Sequence, residues 1–236
     1  MFIPIYDQNP LRSIRFQAVT VGLILVNVVI FALQVTGMPT DVNLGFAQIP
    51  RELFGFATTI EPGLSPTGEI AVPIRLTLLT YMFFHGDIFH LAGNMLFLWV
   101  FGDNVEDALG HFRFLLFYLV CGIAGGLAHA VMMPTSNMPL IGASGAVAGV
   151  IAAYMMLHPR VQVWVLVLRF IPLRISAALA LGAWIATQFV MVLLPEVGPV
   201  AWWAHIGGVV AGAILVIFMR RPGVLLYDRG LTGPAR

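Results

Sequence analysis

The 236-residue chain is 59% hydrophobic and only 10% charged, with a mean hydropathy of +0.93, a balance that excludes an ordinary soluble domain and leaves a polytopic membrane protein. Its formal charge of +1 says little about partners; the lipid bilayer is its expected surroundings, and no nucleic-acid partner is expected. The single cysteine, Cys121, cannot form an intramolecular disulfide and reads as a buried structural thiol.

Asp7, Arg12 and Arg15 precede the first long apolar run, and no small-residue pattern closes it, so no cleavable signal peptide is expected. Apolar runs of about 17 to 25 residues cross the hydrocarbon layer as helices, which satisfy their own backbone hydrogen bonds. Six such runs follow in chain order, at about 17–36, 87–105, 111–133, 142–158, 172–194 and 200–219. A long loop, about 37–86, joins the first two; it is rich in Pro and Gly but includes the apolar stretch 76–84, which suits a partly embedded segment. Pro134, Pro139, Pro195 and Pro199 punctuate short loops on that same side. The expectation is an all-α membrane protein, a six-transmembrane-helix bundle forming one domain over 1–236.

All 12 basic residues are arginine. In a six-span arrangement Arg12, Arg15, Arg113, Arg160, Arg169, Arg174, Arg220, Arg221, Arg229 and Arg236 share one side, and only Arg51 and Arg75 lie on the other. Basic residues favour the cytoplasm, so both termini are expected there. With no added soluble domain, a bacterial plasma membrane is the expected location.

Polar groups inside spanning helices cost free energy unless they are hydrogen-bonded, which makes them functional candidates. Ser144 opens the fourth run, in Gly142-Ala143-Ser144-Gly145. His205 lies about five residues into the sixth, roughly 8 Å along a helix, and both runs start from the external side. His90 and Asn94 stand at i and i+4 near the external end of the second, on one helix face. Four polar side chains therefore share one level.

A serine hydroxyl is a poor nucleophile until a base takes its proton, and neutral imidazole is suited to that task. His205 is the candidate base and Ser144 the candidate nucleophile. Attack on a peptide carbonyl creates an oxyanion, for which each aimed donor supplies about 3 to 4 kcal/mol. Asn94, His90 and the Ser144 N–H are the candidate donors, beside the positive end of the fourth helix. None of the 11 carboxylates lies inside the fourth or sixth run, which leaves a dyad. Gly145 and Gly149, and Gly208 and Gly212, form two G-x-x-x-G patterns that let membrane helices approach closely.

These residues resemble the rhomboid family of intramembrane serine proteases. Gly142-Ala143-Ser144-Gly145 looks like its nucleophile motif, Ala204-His205-Ile206-Gly207-Gly208 with Gly212 like its base-carrying helix, and His90-Leu91-Ala92-Gly93-Asn94 like its H-x-x-x-N element. His85-Gly86-Asp87 and the stretch 102–110 are also similar to family patterns, so the resemblance covers roughly 75–215. It implies a rhomboid-like six-helix core that uses no metal or organic cofactor. The implied substrates are single-span transmembrane proteins, cut near the outer surface at small residues. It also implies that the fifth span and the loop at 195–203 move to admit substrate. Two positions depart from the pattern. Ile74-Arg75 lies two residues farther from His85 than the family's Trp-Arg pair usually does, and Ala148 occupies a position where some members place an aromatic residue against the histidine.

Simpler readings stand beside these. Ser144 alone is a small packing residue; His205 alone is an interhelical hydrogen-bonder; His90 and Asn94 fasten the second helix to its neighbours; and His85 with His90 lacks a third ligand for a metal. Glu106 reads as a brace at the cytoplasmic helix ends, Asn27 as an interhelical hydrogen-bonder, and Trp202 and Trp203 as interfacial anchors. Two other functions compete with proteolysis. One is a non-catalytic rhomboid-like protein that binds membrane clients, and the other is a small transporter, which the confinement of the polar cluster to one level disfavours.

Overall fold

The computed structural model describes residues 2–37, 44–55, 72–167, 170–194 and 200–228. Six helices organise it: α1 (Ala18–Thr36), α2 (Ile88–Leu109), α3 (His111–Met132), α4 (Ser144–Leu157), α5 (Ala177–Met191) and α6 (Trp202–Met219). Each overlaps one of the six apolar runs. On length and composition, α1, α3 and α6 qualify to cross a membrane. The other three fall short for separate reasons. Helices α4 and α5 have only 14 and 15 residues, which rise about 21 to 23 Å against a hydrocarbon layer of about 30 Å. Helix α2 has 22 residues but carries Asp103, Glu106 and Asp107 in its last two turns. The fold is thus that of a predominantly helical membrane protein.

It is not all-α. Three strands, β1 (Phe2–Asp7), β2 (Gln162–Val167) and β3 (Ile171–Ser176), form an antiparallel sheet in the order β1-β2-β3. The expected fifth span, 172–194, therefore starts later. Its first residues belong to β3, and α5 begins at Ala177, where the Ser176 hydroxyl accepts from the Leu179 N–H at 3.3 Å. An apolar run does not distinguish strand from helix by itself, but alternation does: Val163 and Val165 are fully buried while Trp164 between them is exposed. Pro4 and Pro172 fit because β1 and β3 are both edge strands, and the register of β1 shifts just after Pro4.

Helix α4 is the centre of the packing, with every residue from 145 to 154 buried. Small residues bring its neighbours into backbone contact. A Cβ added at Gly212 would overlap the Gly149 carbonyl and lie 2.5 Å from the Gly149 Cα, and one at Gly208 would overlap the Gly145 carbonyl. Helix α3 joins the same cluster, since a Cβ at Gly125 would lie 2.7 Å from the Ala204 carbonyl oxygen of α6 and 3.3 Å from the Gly145 Cα of α4.

At the opposite end, buried carboxylates collect backbone donors. Glu106 accepts from the Val19 and Thr20 N–H groups at 3.0 and 2.8 Å and from the Thr20 hydroxyl at 2.7 Å, which satisfies orphan amides at the start of α1. It also meets His111 Nδ1 at 2.5 Å. Asp107 accepts from the N–H groups of Arg12, Ser13 and Ile14 at 3.0, 2.7 and 2.7 Å. The bracing read for Glu106 from sequence is what these bonds do. Tyr154, in the last turns of α4, donates its hydroxyl proton to Asp7 and so ties the sheet to the helix core. Asn27 donates its amide to Leu23 O of its own helix at 2.8 Å, and its side chain also meets Tyr118 of α3, the interhelical partner expected of it.

Two outcomes follow for stability in detergent. Gly208→Val, which forces a side chain into the α4 backbone, is expected to cost about 1 to 3 kcal/mol or more, whereas Gly22→Ala in α1, where a Cβ meets nothing within 4 Å, should gain roughly 0.5 to 1 kcal/mol. Equal melting temperatures for the two variants would contradict this packing. Burial pushes the Asp7 carboxyl from 3.8 up to about 6, against the opposing effect of the Tyr154 hydrogen bond. An acid raised on folding favours the folded state fully below its unfolded pKa and loses that contribution as pH rises to the folded value. Between pH about 3 and 7 the protein should therefore lose on the order of 3 kcal/mol from this group, a slope that Asp7→Asn flattens in thermal melts across that range.

Candidate active site

The turn leading into α4 is built by residues from outside it. Gly142 has a φ of +119°, a region that favours glycine, and its N–H donates to Tyr81 O at 3.0 Å. A Cβ there would lie 2.6 Å from His90 Cε1, so the His90 ring occupies the space glycine leaves. The next amide, of Ala143, donates to His85 Nε2 at 3.4 Å. Burial, with the neighbouring His90 second, pushes the His85 imidazole down to about 4, which keeps it neutral and able to accept that proton. The His85 and His90 rings meet edge to face with centroids 5.2 Å apart. Asp87 caps α2, accepting from the Phe89 and His90 N–H groups at 2.8 and 2.9 Å, and thereby fixes the turn that carries His90.

Ser144 follows as the first residue of α4, half-buried between the buried Ala143 and Gly145. Amides of a first helical turn have no acceptor within the helix and point toward its N-terminus. His205 lies in the first turns of α6 and is 8% exposed. Gly145 and Ala204, the neighbours of Ser144 and His205, lie against each other: a Cβ on Gly145 would be 3.3 Å from the Ala204 carbonyl oxygen. Among the described residues the Ser144 hydroxyl makes no hydrogen bond to His205. Catalytic hydrogen bonds are often long without substrate and tighten in the reacting complex.

The His205 ring has its own surroundings. Nδ1 stands 2.8 Å from Gln188 Oε1 of α5. Trp184 lies at a centroid distance of 5.8 Å, and Trp202 approaches edge-on at 5.9 Å and 89°. These contacts orient the imidazole where Ala148 offers no ring. Sequence reasoning missed Gln188, although it is the lone amide side chain in α5 and intramembrane polar groups are the ones to question. Asn94 is 7% exposed, and its amide donates to His90 O at 3.1 Å, one turn back in the same helix. In this arrangement one of its two N–H groups is engaged by its own helix. Arg75 lies in a 3-10 turn, Ile74–Leu76, ahead of this region. The expected moving loop at 195–199 lies outside the described residues.

The rhomboid domain model matches residues 75–222, which contain all of these groups, and the chain belongs to the rhomboid family. It is 47% identical over 76 residues to Rhomboid protease GluP of Bacillus subtilis, a match covering 32% of this chain and 14% of that protein. It is 31% identical over 164 residues to RHOMBOID-like protein 1 of Arabidopsis thaliana, covering 67% and 39%. Inactive rhomboid protein 1 of Drosophila melanogaster matches at 33% over 92 residues, covering 39% and 6%. The chain spans less than half the length of the curated relatives it matches. Other relatives carry mitochondrial or chloroplastic in their names. A membrane protein is what the family and the helices support, and the expected bacterial plasma membrane finds no support in that spread of names.

The turn before Ser144 has a direct test. Gly142→Ala, which meets both a positive φ and the His90 ring, should destabilise the protein by about 1 to 3 kcal/mol, while Gly86→Ala, whose Cβ would have neighbours no nearer than 3.8 Å, should be tolerated. Thermal melts of the pair read the difference, and an unaffected Gly142→Ala would contradict this account of the turn.

Proposed function

We propose that the chain is an intramembrane serine endopeptidase that hydrolyses peptide bonds of single-span transmembrane proteins. The observation that carries the reading is the backbone contact of Gly145 with Ala204, which is one residue from Ser144 on one side and one from His205 on the other. The proposed arrangement has six spans with cytoplasmic termini, the short helices α4 and α5 being accommodated by local thinning of the bilayer.

In the proposed mechanism Ser144 Oγ attacks the substrate carbonyl carbon as its proton passes to His205 Nε2. The resulting oxyanion takes hydrogen bonds from the Ser144 N–H and from the second N–H of the Asn94 amide, the first being held by His90 O; His90 either donates as well or holds the turn at Gly142. Collapse breaks the C–N bond, and the proton on His205 goes to the leaving amine. Water then attacks the acyl-enzyme with His205 again as base, releasing a carboxylate product and restoring Ser144. A second reading, client binding without cleavage, draws on the unjoined Ser144 and His205 and on the inactive relative.

A serine-directed fluorophosphonate probe and a single-span substrate in liposomes separate the two. Ser144→Ala and His205→Ala should each lower cleavage by at least about 10³-fold and abolish labelling, and Asn94→Ala should lower cleavage by about 10²-fold. Cleavage retained by both Ser144→Ala and His205→Ala would falsify the dyad, and capture of the substrate with neither labelling nor product would favour the second reading.

A further inference from the structure

We infer that Gln188 of α5 is a positioning residue that holds His205 in the tautomer with the proton on Nδ1 and the lone pair on Nε2. The inference rests on the protease reading for its consequence, but its structural content is independent of it.

The geometry fixes which end of the amide faces the ring. Gln188 is 3% exposed, so both ends of its amide need partners. Its Nε2 lies 2.8 Å from Trp184 O, one turn back in α5. A backbone carbonyl can only accept, so the group facing it must be the NH₂. The carbonyl Oε1 is then the atom 2.8 Å from His205 Nδ1, and because Oε1 can only accept, Nδ1 carries the hydrogen. Turning the amide over would set the Gln188 oxygen against the Trp184 carbonyl oxygen at hydrogen-bond distance and bury it without a donor, which a buried polar group does not tolerate. Trp184 O thus sets the amide, and the amide sets the imidazole.

The tautomer decides what the base can do. With Nδ1 protonated, Nε2 is the only basic site on the ring and has no hydrogen bond among the described residues. The opposite tautomer would aim its lone pair at Gln188 and leave Nε2 with nothing to offer a hydroxyl. When Nε2 takes a proton, the Nδ1–H to Oε1 bond becomes charge-assisted and strengthens. Gln188 therefore does, as a neutral group, part of what an acidic third residue does in a triad. Trp184 contributes twice, through its carbonyl to the amide and through its indole to the imidazole.

The test uses the full chain in detergent with ¹⁵N-labelled histidine. The His205 resonances are identified among the six histidines by their loss in His205→Ala. The wild type should show a protonated Nδ1 and a free Nε2 above the titration of the ring, and Gln188→Leu should shift it toward the opposite tautomer. Fluorophosphonate labelling of Ser144 should fall by about 10²-fold in Gln188→Leu. Gln188→Glu keeps an acceptor and should recover most of the rate only at alkaline pH, with the pH of half-maximal labelling raised by about one to three pH units because a carboxylate favours the imidazolium. The other titratable groups that feel the His205 charge, His90 and His129, are unchanged in all variants. A wild-type ring protonated on Nε2, or labelling and pH profile unmoved in both Gln188 variants, overturns the inference. If Gln188→Leu does not fold, the wild-type tautomer and the Gln188→Glu profile decide it. Absence of Ser144 labelling in the wild type removes the protease reading alone, because the tautomer is read without any activity.

Discussion

The backbone contact between α4 and α6 is the constraint on which the rest of the arrangement depends. Lipid tails are as apolar as leucine, so two helices in a bilayer gain nothing from removing apolar surface from water and must hold together through close packing. Gly145 and Gly149 on one helix and Gly208 and Gly212 on the other remove the side chains that would keep them apart. Glycine in a helix interior lowers its intrinsic stability, and here the loss is offset by contact that a larger residue forbids. Helix α3 meets the same point through Gly125. Because the contact passes through Gly145 and Ala204, the residues beside them are brought to a common level as a by-product of packing. A site assembled in this way inherits its precision from the tightest part of the fold.

Both ends of α4 are held by groups that are themselves held. At its start the turn is bonded to Tyr81 and His85 and walled by His90, and His90 is placed by the Asp87 cap of α2. At its far end Tyr154 bonds Asp7 of β1, so the sheet secures the helix from below. The charged residues of α2 act at that same far end. Glu106 and Asp107 spend their acceptor capacity on the amides that begin α1 and the turn before it. Ionisable groups thereby stay near the rim of the protein, where each is satisfied by several donors.

What was legible in the sequence is what a bilayer constrains most strongly. Long apolar runs gave the positions of all six helices, and the G-x-x-x-G patterns gave a pair whose backbones meet, because only small residues permit that approach. The sheet was not legible for a physical reason. The stretch 162–176 carries Arg169 and Arg174 and reads from sequence as a connection running into the start of the fifth span, and the alternation of Val163, Trp164 and Val165 within it is too short to mark a strand without its partners. Phe2–Asp7 is six residues long and acquires its strand only by pairing with β2, some 160 positions away. Asn27 illustrates a different limit. A polar residue in a span must find a partner, but sequence does not say how its donors and acceptors divide between a neighbouring helix and the carbonyl one turn back, and Asn27 uses both. Gln188 was missed because attention to a missing acid looked only for carboxylates.

A neutral amide is the kind of partner that a water-poor imidazole tolerates. An aspartate beside His205 would support the imidazolium more strongly, but an ionised carboxylate as buried as Gln188 carries a desolvation cost of several kcal/mol that its attraction to a neutral ring does not repay. It would also draw a proton onto the imidazole, which in the proposed mechanism removes the base at neutral pH. Glutamine avoids both effects. Its carbonyl accepts from Nδ1–H as a carboxylate would, its own N–H groups find Trp184 O, and no charge is buried in the resting state. The expense, in the proposed mechanism, is a smaller electrostatic return when His205 becomes charged, with the proposed oxyanion donors and the dipole of α4 on the side of the opposite charge. For an imidazole confined among apolar helices, orientation can be had cheaply and charge cannot, and Gln188 supplies the first without the second.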